Sequence, residues 1–252
     1  MRGSFAGGGA SLAAGALAGE LRWRGAYRGR VGRLIDISPP VSARLAVWPG
    51  DVPYARAVGL SIAAGANLEL SAVTTTLHVG AHADAPSHYA GAGRAIDAVP
   101  LEAYYGPCEV VHVDVGRGER VLPRHLPGPP RAPRVLVRTG TFPDPARWNE
   151  DFASLSPELV DFLADHGVVL VGIDTPSVDP QESKALEAHQ ALLRRGVLNL
   201  EGLVLDHVAP GAYVLVALPL RLEGADASPV RAALVVPDTP DAPARAPAGT
   251  SP

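Results

Sequence analysis

Cysteine, lysine and methionine each occur once in the 252 residues, as Cys108, Lys184 and Met1. A single cysteine excludes an intramolecular disulfide and fits a reducing compartment, so a cytoplasmic location is expected. Cys108 follows Pro107 and precedes an apolar stretch, with no basic group beside it to lower its pKa. It reads as a small buried side chain rather than a nucleophile. A surplus of either charge is also lacking: 22 Lys and Arg stand against 26 Asp and Glu, a net charge of −4. That balance provides no electrostatic footprint for nucleic acid. No apolar run reaches the roughly 18 residues a membrane-spanning helix needs. The expected partner is therefore a small molecule, with neither nucleic acid nor membrane involved. The G-x-S-x-G elbow of esterase-type serine nucleophiles is missing too.

What is present is a hydrophobic fraction of 47%, ample for one sizeable core. The first 33 residues, rich in Gly, Ala and Arg, read as a flexible leader, because no convincing cleavage site follows the weakly apolar stretch. A single domain is expected over residues 34–236, and a Pro/Ala-rich disordered tail over 237–252. Strand patterns dominate the domain, at LIDIS (34–38), 67–78, 109–115, 134–140, 168–174, 203–206, 213–220 and 230–236. Two helices are expected: one opened by Ser156-Pro157 and running to His166, the other over Ser183–Arg195 and ended by Gly196. The fold class is thus mixed α+β (α/β in composition), a β-rich core with a few flanking helices and no regular βαβ alternation.

The chemistry concentrates in residues 78–88, HVGAHADAPSH, which hold three of the eight histidines. In an extended segment, alternation places His78, His82 and Asp84 on one side, with His88 within reach after a bend at Pro86. The residues between them are almost all small, so the backbone can crowd an ion. Two imidazoles and a carboxylate suit a zinc-like divalent ion and leave a position for water, whose pKa the ion lowers from 15.7 to roughly 7. Structural zinc sites favour several cysteines, which this chain does not have. Taken alone, His189 is an ordinary helix-end histidine and Glu201 a solvated glutamate. His112, His125, His166 and His207 read as structural or exposed.

The H-x-G-x-H-x-D-x-P-x-H pattern resembles the signature of the metal-dependent cyclase/kynurenine formamidase family. Trp48-Pro-Gly-Asp51, Tyr105-Gly-Pro-Cys-Glu109, residues 171–189, LEGLVLD (200–206) and ASPVRA (227–232) extend the resemblance, in order, across residues 34–236. Ala81 departs from the wider family, where Thr is usual, and is similar to the bacterial arylformamidase branch.

The resemblance implies a site of two divalent ions, zinc foremost, with manganese or cobalt as substitutes. His78, His82 and Asp84 match its first ligand group, and His189 and Glu201 complete the second. His88 matches a proton-transfer histidine, and a homodimer is implied. The implied reaction is hydrolysis of N-formyl-L-kynurenine to kynurenine and formate in tryptophan degradation. An anilide-like substrate also needs an apolar wall. Trp48, in a tight turn, is the candidate for it, ahead of Tyr104 and Tyr105, which read as core. Asp174 either orients a ligand or caps its turn. The alternatives are a cyclic-amide (isatin-type) hydrolase with the same ligands, or a non-catalytic metal-binding module.

Overall fold

The apolar runs pair into sheets, and the structure, a computed structural model describing residues 32–236, is built mainly of strands. In chain order these are β1 (Leu34–Asp36), β2 (Ala55–Leu60), β3 (Leu70–Thr74), β4 (His82–Asp84), β5 (Tyr105–His112), β6 (Arg120–Val121), β7 (Arg134–Arg138), β8 (Ser154–Leu155), β9 (Leu170–Ile173), β10 (Leu198–Leu200), β11 (Gly211–Val216), β12 (Ala227–Pro229) and β13 (Ala233–Val235). Among the described residues there are two α-helices, α1 (Pro157–Asp165) and α2 (Glu187–Arg195). The expected tail lies outside the described residues, as does the leader except for residues 32 and 33.

Seven strands form one sheet in the order β1-β13-β11-β5-β7-β9-β10. Its β1-to-β5 half is antiparallel, and β5, β7, β9 and β10 run parallel. This is the mixed, sheet-dominated fold that the sequence implies. Alternation along the strands divides the core into two layers. Cys108, Val110, Leu136 and Leu170 face one layer, and Val111, Val135, Val137, Val171 and Ile173 the other. The helices cover the second layer through Leu159, Val160 and Leu163 of α1 and Ala188, Ala191 and Leu192 of α2. The first is covered partly by Ala81, Ala83 and Ala85 around β4, which pairs antiparallel with β12.

Helix α1 starts as expected: the Ser156 hydroxyl accepts from the Leu159 N–H at 3.0 Å, and Pro157 occupies the first turn. Helix α2 begins four residues later than the pattern suggests. Leu186, directly before the helix, takes a left-handed conformation (φ 49°), so residues 183–186 do not join it. The Asp179 carboxylate caps the true start, accepting from the N–H groups of Ala188 and His189.

Two strand expectations fail. Residues 67–78 form a strand only over 70–74, paired with β2 in an exposed hairpin outside the main sheet, so His78 lies in a turn. Residues 203–206 do not form a strand. Leu203 and Leu205 are buried as their alternation implies, but Gly202, at φ +64°, turns the chain out of the sheet.

Gly202 also lies directly against the Gly80 backbone, and a Cβ there would collide with the Gly80 carbonyl oxygen. This close approach lets His82 and Glu201 pair through both backbone bonds, at 3.1 and 3.0 Å. Gly202→Ala should destabilise the protein by about 1–3 kcal/mol through φ strain alone. The backbone collision adds to that, and a denaturant midpoint equal to wild type would contradict it.

Candidate metal centre

β4 separates its side chains by face. Ala83 points into the core with Ala81 and Ala85, while His82 and Asp84 point the other way. The expected alternation therefore holds for these two residues. His78 joins them from the preceding turn, which Gly80 closes at φ +60°. Glu201 arrives directly after β10, where it forms a bridge with β4 rather than opening a strand, and His189 comes from α2. His88 ends the short turn opened by Pro86.

These side chains converge. His78 Nδ1 lies 3.0 Å from Asp84 Oδ1, and His82 Nε2 lies 3.5 Å from Asp84 Oδ1 and 3.3 Å from Glu201 Oε2. His189 Nε2 is 3.4 Å from both Asp84 Oδ2 and Glu201 Oε1. Three donor groups result, each with its donor atoms within 4.8 Å of one another: the more open His78/His88/Asp226, and the more buried pair His78/His82/Asp84 and Asp84/His189/Glu201. Asp84 belongs to both of the buried pair. His82, Asp84, His189 and Glu201 are buried, yet His82 Nε2 and Asp84 Oδ1 have no hydrogen-bond partner. A buried imidazole nitrogen and a carboxylate oxygen that face one another with no hydrogen-bond partner fit a divalent cation.

The cluster lies at the bottom of a cavity of about 300 Å³, whose walls include Trp48, Phe142, Trp148 and Leu186. Trp48 and Trp148 meet edge to face at 5.4 Å, and Phe142 packs on Trp148 at 5.7 Å. His88 also faces this cavity. Tyr104 is buried in the core and Tyr105 is exposed on β5, so neither forms a wall. Asp174 lies at the cavity, but its carboxylate is committed to the N–H groups of Thr139 and Gly140 and to the Thr139 hydroxyl. It caps a turn.

The Cyclase family model matches residues 35–180. The chain belongs to the cyclase family. It is 50% identical over 206 residues to a kynurenine formamidase of Bordetella petrii, a match spanning 80% of this chain and 97% of that protein. A solved structure described as a "potential metal-dependent hydrolase with cyclase activity" is 26% identical, with a TM-score of 0.67, covering 80% of this chain and 96% of its own. Isatin hydrolase A from Labrenzia aggregata, bound to benzyl benzoate, is 23% identical with a TM-score of 0.69, covering 82% and 94%, a likeness of fold.

Electrostatics in this cyclase-family site favour positive charge. Burial opposes protonation of His82, but Asp84 and Glu201 outweigh it and raise its pKa to about 10. His189 is raised in the same way, against burial, by Asp179, Asp84 and Glu201. Burial pushes the Asp84 pKa up, but His189, His78 and His82 hold it well below the carboxylate range. Protons and metal ions thus compete for the same negative centre.

Supporting groups orient each imidazole. His82 Nδ1 bonds to the Gly80 carbonyl at 2.9 Å, and His189 Nδ1 bonds to Asp179 at 2.9 Å, which leaves each Nε2 facing the cluster. Asn199 donates to Asp84 at 2.7 Å and to Glu201 at 3.1 Å. Asp179, Asn199, Phe142 and Trp148 escape sequence reasoning, because they sit in a turn, a short strand and a loop without periodicity. The remaining histidines bond to backbone groups, as His112 does to the Val208 carbonyl, and Cys108 is buried with its pKa pushed up to about 12. Asn199→Leu strips a donor from two buried carboxylates. It should cost about 1–3 kcal/mol of stability in chelator, read as a lower Tm, whereas an unchanged Tm would show that the bond contributes nothing.

Proposed function

We propose that this chain is a metal-dependent amide hydrolase that cleaves N-formyl-L-kynurenine to L-kynurenine and formate in tryptophan degradation. One observation carries the reading: a buried His/Asp/Glu cluster floors an aromatic-walled cavity in a chain half identical to a kynurenine formamidase. The catalytic unit is a domain spanning 34–236. Two divalent ions per chain, zinc or else manganese or cobalt, fit the donor set, which is imidazole and carboxylate without thiolate. His78, His82 and Asp84 would hold one ion, and Asp84, His189 and Glu201 the other. When bound, such ions supply Lewis acidity and a water acidic enough to ionise near neutral pH.

The side chains divide the rest of the work. Trp48, with Trp148 and Phe142 beside it, offers an apolar wall to the anilide ring and keeps bulk water from the floor. His88 borders the same cavity and is partly open to solvent. Cleavage turns the amide nitrogen into an aromatic amine, which must gain a proton as the bond breaks. An imidazole with one free ring nitrogen can take a proton there from the attacking water and hand it to that amine.

Metal-loaded protein incubated with N-formyl-L-kynurenine should release kynurenine, followed by absorbance, and chelation should abolish the rate. His88→Ala should lower kcat roughly 10²–10⁴-fold with metal content unchanged. Opening of isatin without deformylation would transfer the assignment to the cyclic amide. Bound metal with neither activity would leave a binding module.

The site operates in the cytoplasm, within a homodimer. Support for the dimer comes from the β2–β3 hairpin, where Val58, Leu60, Ile62, Leu70 and Val73 are each 45–61% exposed. A lone two-stranded hairpin is marginal in water, and an apolar patch of this kind calls for cover. Sedimentation should give twice the chain mass, and a monomer at micromolar concentration would refute the dimer.

A further inference from the structure

Asp226 stands where two imidazoles meet. Its Oδ2 lies 3.1 Å from His78 Nε2 and 3.3 Å from His88 Nδ1, so one carboxylate oxygen accepts from both rings. The two rings pack against each other, with centroids 4.2 Å apart and planes tilted by 43°. Asp226 is held in place by backbone. The Ala85 N–H donates to its carbonyl at 2.8 Å, and the next residue, Ala227, pairs with Asp84 in the β12–β4 ladder. The carboxylate is thus anchored to the strand that carries His82 and Asp84. His78 and His88 border the cavity, whereas Asp226 does not, and so it stands behind them.

We propose that Asp226 is the positioning residue that selects the tautomer of both histidines. Accepting from His78 Nε2–H leaves Nδ1 of that ring unprotonated, and it is Nδ1 that faces Asp84 Oδ1 at 3.0 Å. Accepting from His88 Nδ1–H leaves Nε2 as the nitrogen that exchanges protons. One oxygen therefore prepares opposite nitrogens on the two rings, Nδ1 of His78 for a cation and Nε2 of His88 for the reacting amide. A neutral imidazole lacking such a partner distributes its proton between both nitrogens and turns about its side-chain bonds. This inference rests on the proton-carrying role proposed for His88. Asp226, the two histidines and a cation must all be satisfied together, and 48% exposure of the Asp226 side chain leaves water free to complete its remaining lone pairs.

Asp226→Asn keeps the shape but provides a neutral oxygen and an N–H₂ group that pairs best with an unprotonated ring nitrogen. The test uses zinc-loaded, ¹⁵N-labelled full-length protein, with imidazole long-range ¹H–¹⁵N spectra, zinc content and steady-state kinetics. Wild type should show His88 as the Nδ1–H form. In Asp226→Asn that form should give way to Nε2–H, and kcat should fall about 10–100-fold while KM changes by less than about threefold. At saturating zinc the metal content should equal wild type, and Asp226→Glu should restore most of kcat. An unchanged His88 tautomer in Asp226→Asn overturns the proposal. So does a kcat that saturating zinc restores in full, since Asp226 would then act through zinc occupancy alone. The spectra need no substrate, so they decide this point even if N-formyl-L-kynurenine proves not to be hydrolysed.

Discussion

Asp84 and Glu201 put two carboxylates where water does not reach, and three imidazole nitrogens approach them within 3.5 Å. Each such charge costs several kcal/mol to desolvate unless a counter-charge meets it. Within the chain, the only direct donors to these carboxylates from outside the imidazoles are Asn199 and the Val178 N–H, among the described residues. The histidines supply the balance when protonated, and a divalent ion supplies it when they are not. Much of the local architecture serves this one requirement. Gly80 and Gly202 allow the backbones of β4 and the β10 end to touch, and Asp179 both starts α2 and aims His189.

The sheet explains why the cluster forms at this place. Glu201 and Asp174 follow the carboxyl ends of the adjacent parallel strands β10 and β9, where side chains emerge beyond the last ladder bond. Open sheets with parallel strands bind ligands at such ends. β4 approaches this end, pairing with β12 on one side and meeting Glu201 on the other. Its Ala83 and the flanking Ala81 and Ala85 complete a core layer, while its histidine and aspartate point the other way. Small residues are needed on the core side because β4 packs closely over the sheet.

The aromatic wall shows a different economy. Only 5% of the chain is aromatic, yet Trp48, Phe142, Trp148 and Phe152 gather in one place. Trp48 was legible because it stands in a tight turn with no strand to bury it. Phe142 and Trp148 were not, since residues 142–152 follow no period and the contact that joins them to Trp48 comes from a distant part of the chain. Tyr104 is core as its pattern implies, whereas Tyr105, read as core too, is exposed at the start of β5, and neither reaches the cavity.

Local physics settled what depends on near neighbours. Alternation in β4, the Ser156 cap of α1, the short apolar strands and the dense His/Asp spacing of residues 78–88 are readable because each rests on residues a few positions apart. Tertiary structure decided what depends on distant ones. It placed His78 in a turn rather than on a strand, moved the start of α2 from Ser183 to Glu187, and ended the strand pattern of 203–206 at Gly202. It also brought Asp179, Asn199 and Asp226 to the imidazoles and carboxylates they orient. A residue's spacing tells which way its side chain points, but its partners come from how the sheet is ordered, and strand order is set by burial over the whole chain.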